Sequence, residues 1–362
     1  MEMPGWIDML GGLMDRAGGL MRWMGNLESS THRDVLDEIP LDRPIYVAGL
    51  ARSGSTILLE VLARHPDAAT HRYRDFPPVM TPIFWNQAFG KVYRKDAAPV
   101  ERAHRDRIMV TPDSPEALEE VLWMAFFESC HDPMKTSVLD KTTSNPAFES
   151  FYRDHLRKIL LIRGGRRYLS KENYNVTRIG YLQKLFPDAR FIVPVRNPVQ
   201  HVASLIKQHR LFCREEERNP RILRHMQRVG HFEFGLDRRA INTGDEERAR
   251  SIEALWQCGE EVRGWARLWA GVYGFLLAQQ ANDEGLRRRI LTVRYEDLCN
   301  TPGETLELIF AHAGLHLSPE LRARLSDELS QPTYYQPSFT ADEEKAIREE
   351  TEETAALLGY SA

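Results

Sequence analysis

Two short segments carry cations, hydroxyls and glycines at spacings suited to holding anions. The first is Gly49-Leu-Ala-Arg52-Ser53-Gly54-Ser55-Thr56. Glycines there let backbone N–H groups turn inward onto a phosphate, and a helix starting at Ser55 adds partial positive charge. A nucleotidase loop of this kind ends in Gly-Lys-Ser/Thr, whose lysine reaches the β- and γ-phosphates. In this chain Ser55 stands at the lysine position and the cation is Arg52. A γ-phosphate is therefore not the expected cargo. The second segment is Arg196-Asn197-Pro198, after the run Phe191-Ile-Val-Pro-Val195, with Ser204 eight residues beyond Arg196. Asn197 can cap the next helix and Pro198 can occupy its first turn, which puts Ser204 about two turns in. A planar guanidinium binds phosphate oxygens bidentately, so Arg196 and Ser204 could meet on one anion. Alone, Arg196 would read as a surface salt bridge and Ser204 as an ordinary helix serine.

Both segments need a strand before them and a helix after them. Residues 43–49 read as a short buried strand and 55–64 as the helix that follows. Residues 115–127 form an amphipathic helix with Pro115 at its start. Short β-like runs follow at 137–139 and 167–169, then a strand at 191–195. Helices are expected at 198–210, 253–281 and 303–313, with a strand at 290–293. Residues 75–90, rich in proline and aromatics, read as a substrate-side loop. Strands alternating with helices predict an α/β fold, a parallel sheet with helices on both faces. Pro194 sits awkwardly in a strand that should be central.

Composition narrows the rest. The chain has 362 residues, 42% hydrophobic and 28% charged, enough to bury a sizeable core without staples. Disulfide scaffolds, collagen and bulk disorder are excluded. A net charge of −4 gives no global field for nucleic acid. Residues 151–240 nevertheless carry 20 Lys/Arg against 8 Asp/Glu, which points to a local anion site. The four cysteines (Cys130, Cys213, Cys258, Cys299) lie apart and form no metal-ligand pattern, so a reducing, cytoplasmic setting and no metal are expected. No apolar run reaches the ~18 residues that a spanning helix needs. Near the N-terminus, Trp6, Ile7, Leu10, Leu13, Met14, Ala17, Leu20, Met21 and Met24 recur at helical spacing. Residues 1–40 thus read as an amphipathic helical segment ahead of a main domain over 41–362. Its apolar face could pack on its own domain, pair two copies through residues 1–30, or lie on a membrane surface.

Together the two anion segments resemble the sulfotransferases that use 3′-phosphoadenosine 5′-phosphosulfate (PAPS). The likeness is to the bacterial, carbohydrate and tyrosylprotein branches, since the small-phenol branch typically carries Lys-Ser-Gly-Thr-Thr in this loop. It extends to Tyr168-Leu-Ser-Lys171, to Arg178–Arg190, to Val293-Arg-Tyr295-Glu296-Asp297-Leu298 and to the tail from Phe339 to Tyr360. The resemblance implies a P-loop-like sheet with helical elaborations. It implies sulfuryl transfer from PAPS to a hydroxyl, or an amine, of a small-molecule, carbohydrate or lipid acceptor, without a metal. Arg52, Ser53, Gly54, Ser55 and Thr56 would hold the 5′-phosphosulfate, and Arg196 with Ser204 the 3′-phosphate. Lys171 is expected at the transferring sulfonate, with Lys141 as its rival.

An acceptor hydroxyl must also lose its proton. Tyrosylprotein-type relatives place a Glu shortly after a segment like His65-Pro66-Asp67, and here Arg72 stands near that position. His71 is the nearest group suited to proton abstraction near neutrality, with Asp75 second and His104 third. The expected catalytic set is His71, Lys171 and Arg52. Arg72 and Arg74 read either as contacts to an anionic acceptor or as surface charges. The alternative reading is a P-loop kinase, which would require a Gly-Lys-Ser/Thr triplet and an acidic strand end. A non-catalytic membrane adaptor stands third and leaves the paired loops unexplained.

Overall fold

The structure, a computed structural model, describes residues 8–9, 11–12, 17–89, 98–102, 104, 108–329 and 337–360. The main sheet has five strands: β1 (Ile45–Val47), β2 (Ala68–Ala69), β5 (Arg167–Lys171), β6 (Arg190–Val195) and β7 (Ile290–Arg294), in the order β2-β5-β1-β6-β7. Every pairing in it is parallel. A small antiparallel pair, β3 (Val100–Glu101) and β4 (Met109–Val110), stands apart.

A parallel sheet is buried on both faces, so its strands read as continuous apolar runs. β1 is fully buried along its length. On one face Ile45, Val47 and Leu169 pack against Leu58, Leu59 and Leu62 of the helix Ser55–Ala63. On the other face Tyr46, Tyr168 and Phe191 share a core with Phe148, Tyr152, Leu156 and Ile159 of the helix Pro146–Arg163. The expected α/β architecture with helices on both faces is what the chain adopts.

Several local readings change. Residues 137–139 form no strand; Ser137 N–H bonds Asn242 O at 2.9 Å and Leu139 N–H bonds Thr177 O at 3.0 Å, as irregular chain. The helix expected from Pro115 begins only at Glu120, because Pro115 bridges Arg72 and Glu116 N–H bonds His71 O at 3.0 Å. The long helix expected over 253–281 is two, Glu246–Gln257 and Glu261–Asn282, broken where Gly259 takes φ +88°. Residues 75–90 contain the helix Pro82–Phe89. The helix Pro146–Arg163 was not anticipated at all; Asn145 caps it, Pro146 starts it, and Gly164 at φ +71° ends it.

Pro194 has a direct explanation. Ile192 O accepts from Ala48 N–H at 3.0 Å, whereas Phe191 N–H bonds Arg289 O on the opposite side. The even residues of β6 therefore face β1, whose paired register with β6 ends at Val47–Ile192, and the Pro194 ring packs against Gly49 just beyond it. The missing N–H thus falls past the last paired residues of the β1–β6 ladder and interrupts none of them.

Part of the N-terminal segment is welded to the main domain. In the helix Gly18–Thr31, Glu28 is buried and its Oε2 lies 3.1 Å from Lys158 Nζ. Phe84 N–H donates to Glu28 Oε1 at 2.6 Å, and Lys158 donates to Gly25 O at 2.6 Å. A Cβ on Gly25 would stand 2.6 Å from the Phe151 ring, so only glycine permits this approach. The opposite side of the helix leaves Leu20, Trp23 and Leu27 exposed. Most of the pattern over Trp6–Met14 lies outside the described residues. Among the described residues no helix is long and apolar enough to cross a membrane.

Candidate functional site

In open parallel sheets ligands bind beyond the carboxyl ends of the strands, where the chain order switches direction. β5 and β6 flank β1 on either side, and the segments singled out above leave the sheet at that edge. The loop after β1 places Arg52 at φ +71° and Gly54 at φ +101°. Left-handed residues alternating with ordinary ones in a tight turn can aim backbone N–H groups into a concave nest that suits an anion. Arg52 is a non-glycine in the left-handed region, a strain that persists where the surroundings impose it. Gly49 is needed because a Cβ would stand 2.9 Å from Pro194 Cγ, and Gly54 because one would stand 2.6 Å from Tyr295 Cδ2.

The second loop locks onto the first. Arg52 Nε–H donates to Ser204 Oγ at 3.3 Å. His201, fully buried on the helix Pro198–Arg218, hydrogen-bonds Ala51 O through Nε2 at 2.8 Å. Burial, reinforced by the charges of Arg196 and Arg52, pushes the His201 imidazole down to about 3, so it is neutral and donates from Nε2. Asn197 caps its helix by accepting from Val199 N–H and Gln200 N–H, as its position promised. Its own N–H donates to Glu296 Oε1 at 2.9 Å, and Tyr360 O–H donates to Glu296 Oε2 at 2.8 Å. The Arg196 guanidinium lies 4.9 Å from the centre of the Tyr295 ring, the same ring that touches Gly54. The Tyr295-Glu296 pair at the end of β7 thus props both anion loops.

A cavity of about 630 Å³ opens beside them. Arg52, Ser55, Thr56 and Lys171 line one part of it; Phe76, Leu118, Phe212, Met226, Val229 and Phe234 supply apolar wall. Arg102 donates to Thr56 Oγ1 at 3.2 Å. Lys171, the last residue of β5, lines the same cavity as Arg52, Ser55 and Thr56. Arg196 and Ser204 are outside the cavity lining. Lys141 is also outside it, exposed and ion-paired with Asp283.

The proton acceptor is where expectation and structure part. His71 follows β2, but it is 2% exposed and does not line the cavity. Its Nε2 lies 3.1 Å from His155 Nε2 and its Nδ1 3.6 Å from Asp75 Oδ2. Asp75 is engaged by Arg163 and by Arg72 N–H. Burial pushes the Asp75 carboxyl up, but His71 and Arg163 overcome this and hold it down at about 2. Both residues belong to a buried polar knot beneath the site. Arg72 and Arg74 converge on Asp113 at 2.9 and 3.0 Å, and of the two only Arg74 lines the cavity.

Of the three residues considered for the base, His104 alone reaches the cavity. It sits between β3 and β4. Burial, and then the charges of Arg102, His231, Arg52 and Lys171, push its imidazole well below the ordinary value. Among the lining groups that carried no sequence signal as site residues are Asn173, His231 and Glu233. Asn173 Nδ2–H donates to Glu233 Oε1, and His231 Nδ1 lies 3.0 Å from Glu233 Oε2. Elsewhere Glu120, Cys130 and His131 converge as potential metal ligands. There Arg178 already forks onto both Glu120 oxygens at 2.7 Å, and His131 meets Oε1 at 2.7 Å.

Residues 44–238 match the sulfotransferase family. The chain belongs to that family, whose members are transferases of sulfo groups. Among solved structures, a sulfotransferase from Mycobacterium avium superposes with a TM-score of 0.57 at 17% identity, over 93% of this chain and 82% of that one. A sulfotransferase from Mycobacterium tuberculosis superposes with a TM-score of 0.53 at 15% identity, over 95% and 84%. At such identities the likeness is one of fold. Among curated proteins none matches this sequence.

Proposed function

We propose that this enzyme moves the sulfuryl group of PAPS to a hydroxyl on an apolar small-molecule or lipid acceptor. The observation that carries the reading is a single cavity that joins the loop residues Arg52, Ser55 and Thr56 and the strand-end Lys171 to an apolar wall. The donor fits the residues present. The loop after β1 offers backbone donors, a side chain on Gly54 would collide with Tyr295, and Arg52 and Lys171 line the adjoining cavity. PAPS supplies an activated sulfuryl group with a phosphate leaving group.

Arg52 and the loop amides neutralise the 5′-phosphosulfate, and Ser55 and Thr56 donate hydroxyls to it. Lys171 faces the transferring sulfonate, where charge grows as the bond to the leaving oxygen lengthens. Arg196 and Ser204 take the 3′-phosphate. His71 is assigned to the buried knot with His155 and Asp75, not to proton transfer. His104, neutral and set among cations, suits a hydrogen bond to the acceptor better than the storage of a proton. Aromatic and aliphatic walls favour an apolar alcohol over a sugar, whose many hydroxyls would need partners.

The kinase alternative has the same strand–loop–helix but lacks the lysine at Ser55. Incubation with sulfur-labelled PAPS and a panel of aromatic alcohols, long-chain alcohols and sugars tests the reading. Label on the apolar alcohols is the expected result. Label confined to sugars would overturn the acceptor class, and phosphate transfer from ATP would replace the donor.

A further inference from the structure

We infer that His231 accepts the acceptor's proton and that Glu233 and Asn173 hold it in position for that task. The inference rests on the sulfuryl-transfer reading above. Gly230, at φ +74°, ends the helix Pro220–Val229 and turns the chain across the cavity. Phe232 is drawn away from the cavity, with its N–H on Tyr174 Oη at 3.1 Å and its ring 4.7 Å from that of His131. His231 and Glu233, on either side of it, both line the cavity.

The arrangement is that of an imidazole with an orienting carboxylate. His231 Nδ1 lies 3.0 Å from Glu233 Oε2, obliquely rather than as a linear hydrogen bond. Catalytic contacts of this kind commonly straighten when substrate binds. Glu233 is anchored from the other side by Asn173, two residues beyond Lys171. The imidazole is stacked on Phe212, centroids 5.4 Å apart and planes within 10°, which fixes its tilt. Nε2 makes no hydrogen bond to a described residue, which leaves it available to an acceptor hydroxyl.

His104 is the competitor, its ring centre 5.6 Å from that of His231. The two differ in what they face. A proton arriving on His104 meets the charges of Arg102, Arg52 and Lys171. A proton arriving on His231 meets the Glu233 carboxylate. The other titratable groups at this corner are His225 on the preceding helix and Glu172 at the end of β5. As the acceptor oxygen bonds to sulfur, its O–H electron pair completes that bond and its proton passes to Nε2. The bond from sulfur to the 5′-phosphate oxygen breaks, and that oxygen keeps the pair. The imidazolium left behind is stabilised by Glu233, in the manner of other carboxylate–histidine pairs.

The test uses the full chain with water as acceptor, which turns the reaction into hydrolysis of PAPS to sulfate and adenosine 3′,5′-bisphosphate. His231→Gln should slow hydrolysis by about 10²–10⁴-fold, the usual worth of a general base, while bisphosphate affinity changes less than about twofold. His104→Gln should slow it by less than about tenfold. Nitrogen NMR of the histidine rings supplies a readout independent of activity: neutral His231 should carry its proton on Nδ1. Glu233→Gln should shift that population toward Nε2, and Glu233→Asp should restore it. A large loss in His104→Gln with none in His231→Gln would overturn the assignment. So would a neutral His231 protonated on Nε2 in the unmodified chain. Should His231→Gln fail to fold, the Glu233 variants and the tautomer decide. If the unmodified chain binds no bisphosphate, the donor reading fails, whereas the tautomer still reports on the His231–Glu233 pair.

Discussion

Arg52 Nε–H donates to Ser204 Oγ at 3.3 Å across 152 residues of sequence. With the bond from His201 Nε2 to Ala51 O, it joins the loop after β1 to the helix after β6. Ser204 Oγ accepts from Arg52 and so keeps its own proton for a further hydrogen bond. The two loops are therefore tied together, with Tyr295 and Glu296 as a third support.

The clearest consequence concerns the second loop. Arg196→Ala should weaken binding of adenosine 3′,5′-bisphosphate by about 1.5–3 kcal/mol, the worth of a charged hydrogen bond. Affinity for adenosine 5′-phosphosulfate, which lacks the 3′-phosphate, should barely change. Calorimetric titration of both nucleotides makes the comparison, and equal losses would remove Arg196 from the 3′ position.

His71→Ala should behave as a core substitution. It removes a buried partner of His155 and Asp75, so unfolding in urea should show a loss of about 1–3 kcal/mol. PAPS turnover per folded molecule should stay near that of the unmodified chain. A hundredfold fall in kcat at unchanged stability would return His71 to the chemistry.

Acid should destabilise the fold early. Burial holds His201 at about 3, and His209 and His225 at about 4, while His155 and His104 are also pushed well down by burial. An unfolded histidine titrates near 6.5, so below that pH the unfolded chain binds more protons than the folded one. This stabilisation is complete above about pH 6.5 and is lost progressively toward pH 3–4, by up to about 1.4 kcal/mol per pH unit for each such histidine. Tm measured from pH 7.5 to 4.5 should fall from about 6.5 downward; a flat profile would contradict the buried, neutral histidines.

The helix Gly18–Thr31 should prove integral to the domain. Lys158→Met leaves Glu28 buried without its counter-charge and should cost about 3–5 kcal/mol. Glu28→Leu combined with Lys158→Met should recover much of that loss, since an apolar pair of similar volume removes the stranded charge. Urea unfolding of both variants is the check. A neutral effect of Lys158→Met alone would mean that the helix does not seal this ion pair.

Legibility followed the distance over which each signal acts. The two strand–loop–helix segments, the Asn197 cap and the strand–helix alternation are local, and spacing alone exposed them. Tyr295-Glu296 was visible only as part of a resemblance; its contacts with Gly54 and Asn197 arise from tertiary folding. The helix Pro146–Arg163 carries Phe148, Phe151, Tyr152, Leu156 and Ile159 at helical spacing, but interleaved charges hid the stripe. His71 looked like a strand-end base because nothing near it in sequence announces His155 across the core. Nothing local couples His231 to Asn173 either; a turn at Gly230 and the end of β5 bring them together.

The loop after β1 should hold a 3′-phosphorylated adenine nucleotide rather than a nucleoside triphosphate. Isothermal titration of the full chain with adenosine 3′,5′-bisphosphate and, separately, with ATP and magnesium measures this directly. Saturable one-to-one binding of the bisphosphate, about tenfold or more weaker in Arg52→Ala, and little heat from ATP are the expected results. Tighter binding of ATP than of the bisphosphate would contradict that assignment.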